Sequence, residues 1–131
     1  MQGAARLFFT SAIIYAVIGI LLGLKMGLSQ DHGQMPTHAH IMLAGLVFSA
    51  LFAYFYHLFP AINGRAIATF HLWFQTAVTI VMLGSLYLVY GGNAALEPVL
   101  GIASMGFGLG VLLFAYIALP AVWRAPEESA K

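Results

Sequence analysis

The sequence contains no cysteine, and only five Lys or Arg and four Asp or Glu among its 131 residues. The first absence excludes disulfides, iron–sulfur clusters and thiolate chemistry. The second leaves a net charge of +1, without the basic patch that nucleic-acid binding requires, and too few charges for the surface of an ordinary soluble domain. Apolar side chains fill the space instead, with 62% hydrophobic residues and a mean hydropathy of +0.93.

That composition identifies lipid as the main solvent. A helix needs roughly 20 mostly apolar residues to cross about 30 Å of hydrocarbon, and residues 7–24, 38–59, 66–90 and 97–119 supply four such runs. The expectation is an all-α, integral membrane four-helix bundle forming one domain over residues 1–131. The first run is long and lacks a cleavage-site pattern, so it reads as a retained span rather than a signal peptide. Pro36 and Thr37 suit a helix start, Pro60 and Asn63-Gly64-Arg65 a break, and Gly91-Gly92-Asn93 a turn, while Glu97-Pro98 opens the last helix. The tail after Arg124 is polar and reads as loose. Arg6, Arg65 and Arg124 fall on one side of this arrangement and only Lys25 on the other. Excess basic charge marks the cytoplasmic side, so both termini are expected there. Asp31, His32, His38, His40 and Glu97 then lie at the outer end, and His57 and His71 at the inner end.

Gly19, Gly23 and Gly27 repeat at four-residue spacing in the first span, and Gly101, Gly106, Gly108 and Gly110 enrich the fourth. Small residues at such spacing let helix backbones approach closely. The partner is either another helix of the same chain or a second copy, which makes a homo-oligomer one expectation.

Ionisable side chains within a span are costly and mark candidate sites. His38 and His40 are two positions apart, which at about 100° per residue separates them by about 200° on a regular helix. Such a pair does not easily chelate one ion. It can present imidazoles to separate planar cofactors, or hydrogen-bond to different neighbouring helices, and spacing alone leaves both readings open. Ala44 lies one turn below His40 and Gly45 two turns below His38, so neither site faces a bulky residue along its own face, although Met42 lies beneath His38. Neutral imidazole is a good haem ligand, and four-helix bundles build such sites from facing helices. His57 lies about 25 Å from His40 along the axis and cannot share its site. His71, with Gln75, Thr79 and Met82 along its face, reads as interhelical hydrogen bonding.

The stretch Thr37-His38-Ala39-His40-Ile41-Met42-Leu43-Ala44-Gly45-Leu46, continuing to Tyr54-Phe55-Tyr56-His57-Leu58-Phe59-Pro60, resembles the tenth helix of the catalytic subunit of haem–copper oxidases and nitric oxide reductases. Thr69-Phe70-His71-Leu72-Trp73-Phe74 resembles the start of the following helix in that family, and the whole chain is similar to small four-span proteins described as oxidase subunit I-like. The resemblance implies that His38 takes the place of the proximal ligand of a high-spin haem and His40 that of a low-spin haem ligand, both toward the outer side of the membrane. The further histidines of the copper centre have no counterpart here, so the resemblance does not extend to a complete oxidase. What it implies is a b-type haem protein of the bacterial inner membrane, acting in electron transfer or in binding nitric oxide or oxygen. A second axial ligand would come from His32, or from His38 or His40 of another copy.

Two other functions compete. Asp31, His32, Met35, His38 and His40 form a local set of oxygen, sulfur and nitrogen donors suited to copper or zinc, provided the backbone around Pro36 is irregular enough to gather them. Alternatively the histidines brace a structural or assembly subunit that works with a respiratory-chain partner.

Overall fold

The computed structural model describes residues 1–124, so the tail expected to be loose lies outside the described residues. Four long helices run up and down in sequence: α1 (Gly3–Ser29), α2 (Met35–Leu58), α3 (Ala66–Tyr90) and α4 (Glu97–Trp123). No strand occurs among the described residues. Each helix is long and apolar enough to cross a membrane, in agreement with the four expected runs.

The helices overrun their apolar centres. α1 has 27 residues, which at 1.5 Å per residue is about 40 Å, so both ends pass beyond about 30 Å of hydrocarbon. Arg6 and Lys25 are therefore inside the helix rather than outside it, where their long stems carry the charge toward the interface. α1 stops at Gln30, whose left-handed backbone (φ 58°) breaks the helical path. Pro60 ends α2, because a residue before proline is driven out of helical geometry and Phe59 has φ −116° and ψ 69°. A single turn, Pro60–Asn63, leads into α3.

Two polar clasps set the helix ends. The side chain of Asn63 accepts from the Ala5 amide through Oδ1 at 3.1 Å and donates through Nδ2 to the Gln2 carbonyl at 2.7 Å. At the other end, Nε2 of Gln34 donates to the Tyr87 carbonyl at 3.0 Å, and its Oε1 accepts from the Thr37 hydroxyl at 2.6 Å.

Between the clasps the bundle is two close pairs, α1 with α2 and α3 with α4. Small residues allow the close approach. Gly19 and Gly23 of α1 receive Met42 and His38 of α2, while Gly106 and Gly110 of α4 receive Val78 and Gln75 of α3. Aromatic side chains span the wider gap between α2 and α4, with Phe48 against Phe107 at 5.4 Å and Phe52 against Phe114 at 4.6 Å. α1 and α3 diverge over part of their length, leaving an apolar groove of about 500 Å³ bordered by Tyr15, Ile18, Thr37, Ile41 and Tyr87. On the outside, α4 exposes Ile102, Met105, Leu109, Leu112 and Tyr116. Those are side chains that lipid solvates at no cost and water does not.

Candidate functional site

The expected site begins with the first two turns of α2. Residues Met35–His40 are α-helical, but Ile41–Val47 form a π-helical segment directly beneath His40. Its i→i+5 hydrogen bonds change the rotation per residue, and such segments occur frequently at functional sites. The direction in which each histidine points therefore has to be read from its contacts.

His38 turns toward α1. Its Nδ1 lies 2.9 Å from the carbonyl oxygen of Gly19; a carbonyl only accepts, so the ring donates from Nδ1. The imidazole lies on Gly23, where an added Cβ would stand 3.0 Å from Cε1 and 3.7 Å from Nε2. His40 is exposed, and its Nδ1 donates at 2.8 Å to the carbonyl of Pro36, one turn earlier on the same helix. His32, also exposed, places Nδ1 3.2 Å from the Gln30 carbonyl. In all three rings the proton is thereby assigned to Nδ1 and Nε2 keeps its lone pair.

The two small residues expected to leave room beside the rings are used for packing. Gly45 is buried against Tyr15 of α1, and an added Cβ would meet Cγ of that ring at 2.7 Å. Ala44 is buried with Leu22, Met26, Met82 and Leu83. Small side chains on α2 thus draw neighbouring helices in rather than opening slots, because close backbone approach is how membrane helices gain contact energy.

The donors around Pro36 are held by separate local contacts. The Asp31 carboxylate accepts from the Gly33 amide at 3.0 Å in a local turn, and His32 is tied to the same loop. Among the described residues no three His, Asp or Glu side chains lie close enough to share a metal ion.

The end of the bundle that bears the N-terminus holds two fully enclosed ionisable side chains, Tyr56 and His71. His71 has 0% exposure and sits in an aromatic cage, with the ring of Phe52 edge-on at 4.8 Å and Phe8, Phe114 and Tyr56 at 5.3, 5.7 and 5.9 Å. Its Nδ1 is 3.0 Å from the Tyr56 hydroxyl, which is the interhelical hydrogen bond expected of it. Its Nε2, together with both amide atoms of Gln75 one turn on, is buried without a partner among the described residues. His57, by contrast, is exposed beside a polar groove with Asn63 and Gln2.

Sequence reasoning did not identify Tyr15, Gly19 and Gly23 as the bed of the α2 histidine turn, nor Phe8 and Phe114 as walls around His71. The four-residue glycine spacing announced a close contact without naming its partner. Nothing in the letters signalled the π-helical segment.

The chain was compared with protein-family models, curated proteins and solved structures, and none of them matches it.

Proposed function

We propose that this chain is a b-type haem-binding membrane protein, with His40 and His38 as the axial-ligand candidates, acting in electron transfer or in the binding of a small gas such as nitric oxide or oxygen. The observation that supports the reading best is the hydrogen bonding of the two imidazoles. Nδ1 of each is committed to a backbone carbonyl, and a metal-ligating histidine is held in that way, its orientation fixed by one nitrogen while the other carries the lone pair. The donor chemistry therefore fits iron. His40 fits it without rearrangement, since its ring is exposed and its hydrogen bond is internal to its own helix. His38 is half buried over Gly23 and has less freedom.

Haem bound there would supply a redox-active iron whose sixth position decides between electron transfer and gas binding. The chain's own part is to fix the ring, to offer Nε2, and to exclude water by the apolar surface around it. Because His40 stands on the outside of the bundle, the far side of the cofactor is covered by lipid or by a second copy. Gly101 and Gly108, which have nothing packed over them, leave α4 open to such a neighbour. The arginine distribution supports an arrangement in a bacterial inner membrane with both termini cytoplasmic and the His38–His40 end outward. The resemblance of residues 37–88 to two oxidase helices supports the same reading.

The test is a reduced-minus-oxidised visible spectrum of the protein purified after expression with ample haem. A Soret band that disappears in His40→Ala and persists in His57→Ala is the expected result. A colourless preparation that gains no absorbance on reconstitution with haem overturns the proposal.

A further inference from the structure

The least satisfied polar groups of the bundle are at the opposite end from His40. Nε2 of His71 and Nε2 and Oε1 of Gln75 are buried with no hydrogen-bond partner among the described residues, and the two side chains are 0% and 2% exposed. Buried polar atoms are almost always satisfied by protein or by ordered water. The backbone of Gly110 lies beside the His71 ring but outside hydrogen-bond geometry with Nε2, and the neighbouring side-chain hydroxyls are already engaged. The Tyr56 hydroxyl pairs with Nδ1 of His71, and the Thr79 hydroxyl donates to the backbone carbonyl of Gln75 at 2.7 Å. The rings of Phe8, Phe52 and Phe114 offer no lone pair.

Position decides what kind of ligand fits. His71 and Gln75 are four residues apart on α3, so they stack on one face, about one helical pitch or 5.4 Å apart. α4 makes room there with Gly110, where an added Cβ would overlap Oε1 of Gln75. A small molecule with both donors and acceptors answers three such atoms, and water is the smallest of that kind, taking two to four polar partners. Tyr56 stands between this site and the surface: it is itself 0% exposed, and it is one of the residues behind the polar groove formed with His57, Asn63 and Gln2 at the end bearing the N-terminus.

We propose that His71 and Gln75 hold internal water between α3 and α4, and that Tyr56 joins this buried site to the terminal groove, so that protons exchange between them. In one passage, a proton from the groove joins the Tyr56 oxygen as the hydroxyl proton moves to Nδ1 of His71, and the proton on Nε2 moves to the water. The protonated water then returns one of its three equivalent protons to Nε2 and the steps run back, so a proton is exchanged, no net charge stays behind and no electron moves. The device is independent of any cofactor at the other end.

The test uses the full chain in lipid nanodiscs with ¹⁵N-labelled histidine, read by magnetisation transfer from water to the imidazole nitrogens. The expected result is strong transfer to one histidine that a soluble paramagnetic agent does not broaden, and loss of that signal in His71→Phe. Tyr56→Phe, which keeps the ring, identifies the same resonance by the shift of Nδ1 should His71→Phe not fold. Gln75→Leu should lose the transfer and lower the thermal midpoint, and Tyr56→Phe should slow deuterium arrival at His71. No transfer to His71 in the unaltered chain, or a thermal midpoint raised by Gln75→Leu, shows the site to be dry and overturns the proposal. Deuterium arrival unchanged in Tyr56→Phe overturns the link to the groove.

Discussion

The imidazole of His38 crosses from α2 to α1 and donates from Nδ1 to the carbonyl of Gly19 at 2.9 Å. Gly23, one turn further along α1, leaves the space in which the ring lies. The glycine spacing of α1 and the histidine at the start of α2 are therefore two halves of one contact within the chain, and the orientation of the ring depends on a side chain that is absent.

Substitution along that glycine row should have unequal effects. Leucine at position 23 drives a branched side chain into the His38 ring, and overpacking of this kind costs about 1–3 kcal/mol. At position 27 an added Cβ meets nothing within 4 Å, so Gly27→Ala should leave stability within about 0.5 kcal/mol. Thermal unfolding of the two variants in the same detergent measures the difference. Equal loss in both would show that the row acts through helix propensity rather than through His38.

Gly45 gives a second contact between the same helices, with Tyr15 as its partner. The ring of Tyr15 is bulky and its Cγ would stand only 2.7 Å from an added Cβ, so Gly45→Ala should force α1 away from α2 at a cost of about 1–3 kcal/mol. Truncating the ring removes the clash. In a double-mutant cycle, Tyr15→Ala should relieve most of the penalty of Gly45→Ala, giving a coupling well above the roughly 0.5 kcal/mol of independent sites. Strict additivity would mean that the two residues do not meet.

The four helices were legible in the sequence because each is a long apolar run bounded by Pro36, Pro60, Gly91-Gly92 or Pro98, and the hydrocarbon thickness sets one length for all of them. Rotation about each axis was not legible. A helix surrounded by lipid is apolar on every side, so the pattern that reveals the buried face of a soluble helix is nearly erased: α4 is hydrophobic at Ile102 and Leu112, which are exposed, and at Ile117, which is buried. The same blindness hid the role of Gly45, which reads as open space beside His38 on a regular helix. The π-helical turn at Ile41–Val47 and the ring of Tyr15 make it a packing contact. His71 was legible as a hydrogen-bonding histidine, whereas its cage of Phe8, Phe52 and Phe114 depends on helices distant in sequence.

The two histidines of the α2 turn should separate in their effects on the protein without cofactor. His38→Ala removes an interhelical hydrogen bond and a ring packed on Gly23, a loss of about 0.5–1.5 kcal/mol for the bond alone. His40 is exposed and bonded only to Pro36 in its own helix, so His40→Ala should change stability by less than about 0.5 kcal/mol. If the proposed function holds, His40→Ala nevertheless abolishes the Soret band. Thermal unfolding and the visible spectrum of the same preparations report the two effects separately. A His40→Ala protein as unstable as His38→Ala would point to a bracing role for both rings.

Asn63 holds the start of α1 with one amide, accepting from Ala5 and donating to the Gln2 carbonyl. The first amides of a helix have no partner within it, and at a membrane face that shortfall is costly unless a side chain or water supplies one. The side chain lies some 60 residues away in sequence, between α2 and α3, so it also fastens the α1–α2 pair to the loop that leads into α3. Asn63→Ala should therefore cost about 1–2 kcal/mol, the size of a lost cap. It should speed amide exchange at Ala5 first, while exchange in the middle of α3 is unchanged. Asn63→Asp separates the two bonds: the carboxylate still accepts from the Ala5 amide and is favoured near the positive end of the helix dipole, but it cannot donate to Gln2. Exchange at Ala5 should then stay slow in Asn63→Asp. Fast exchange in that variant would assign the clasp to the Gln2 bond instead.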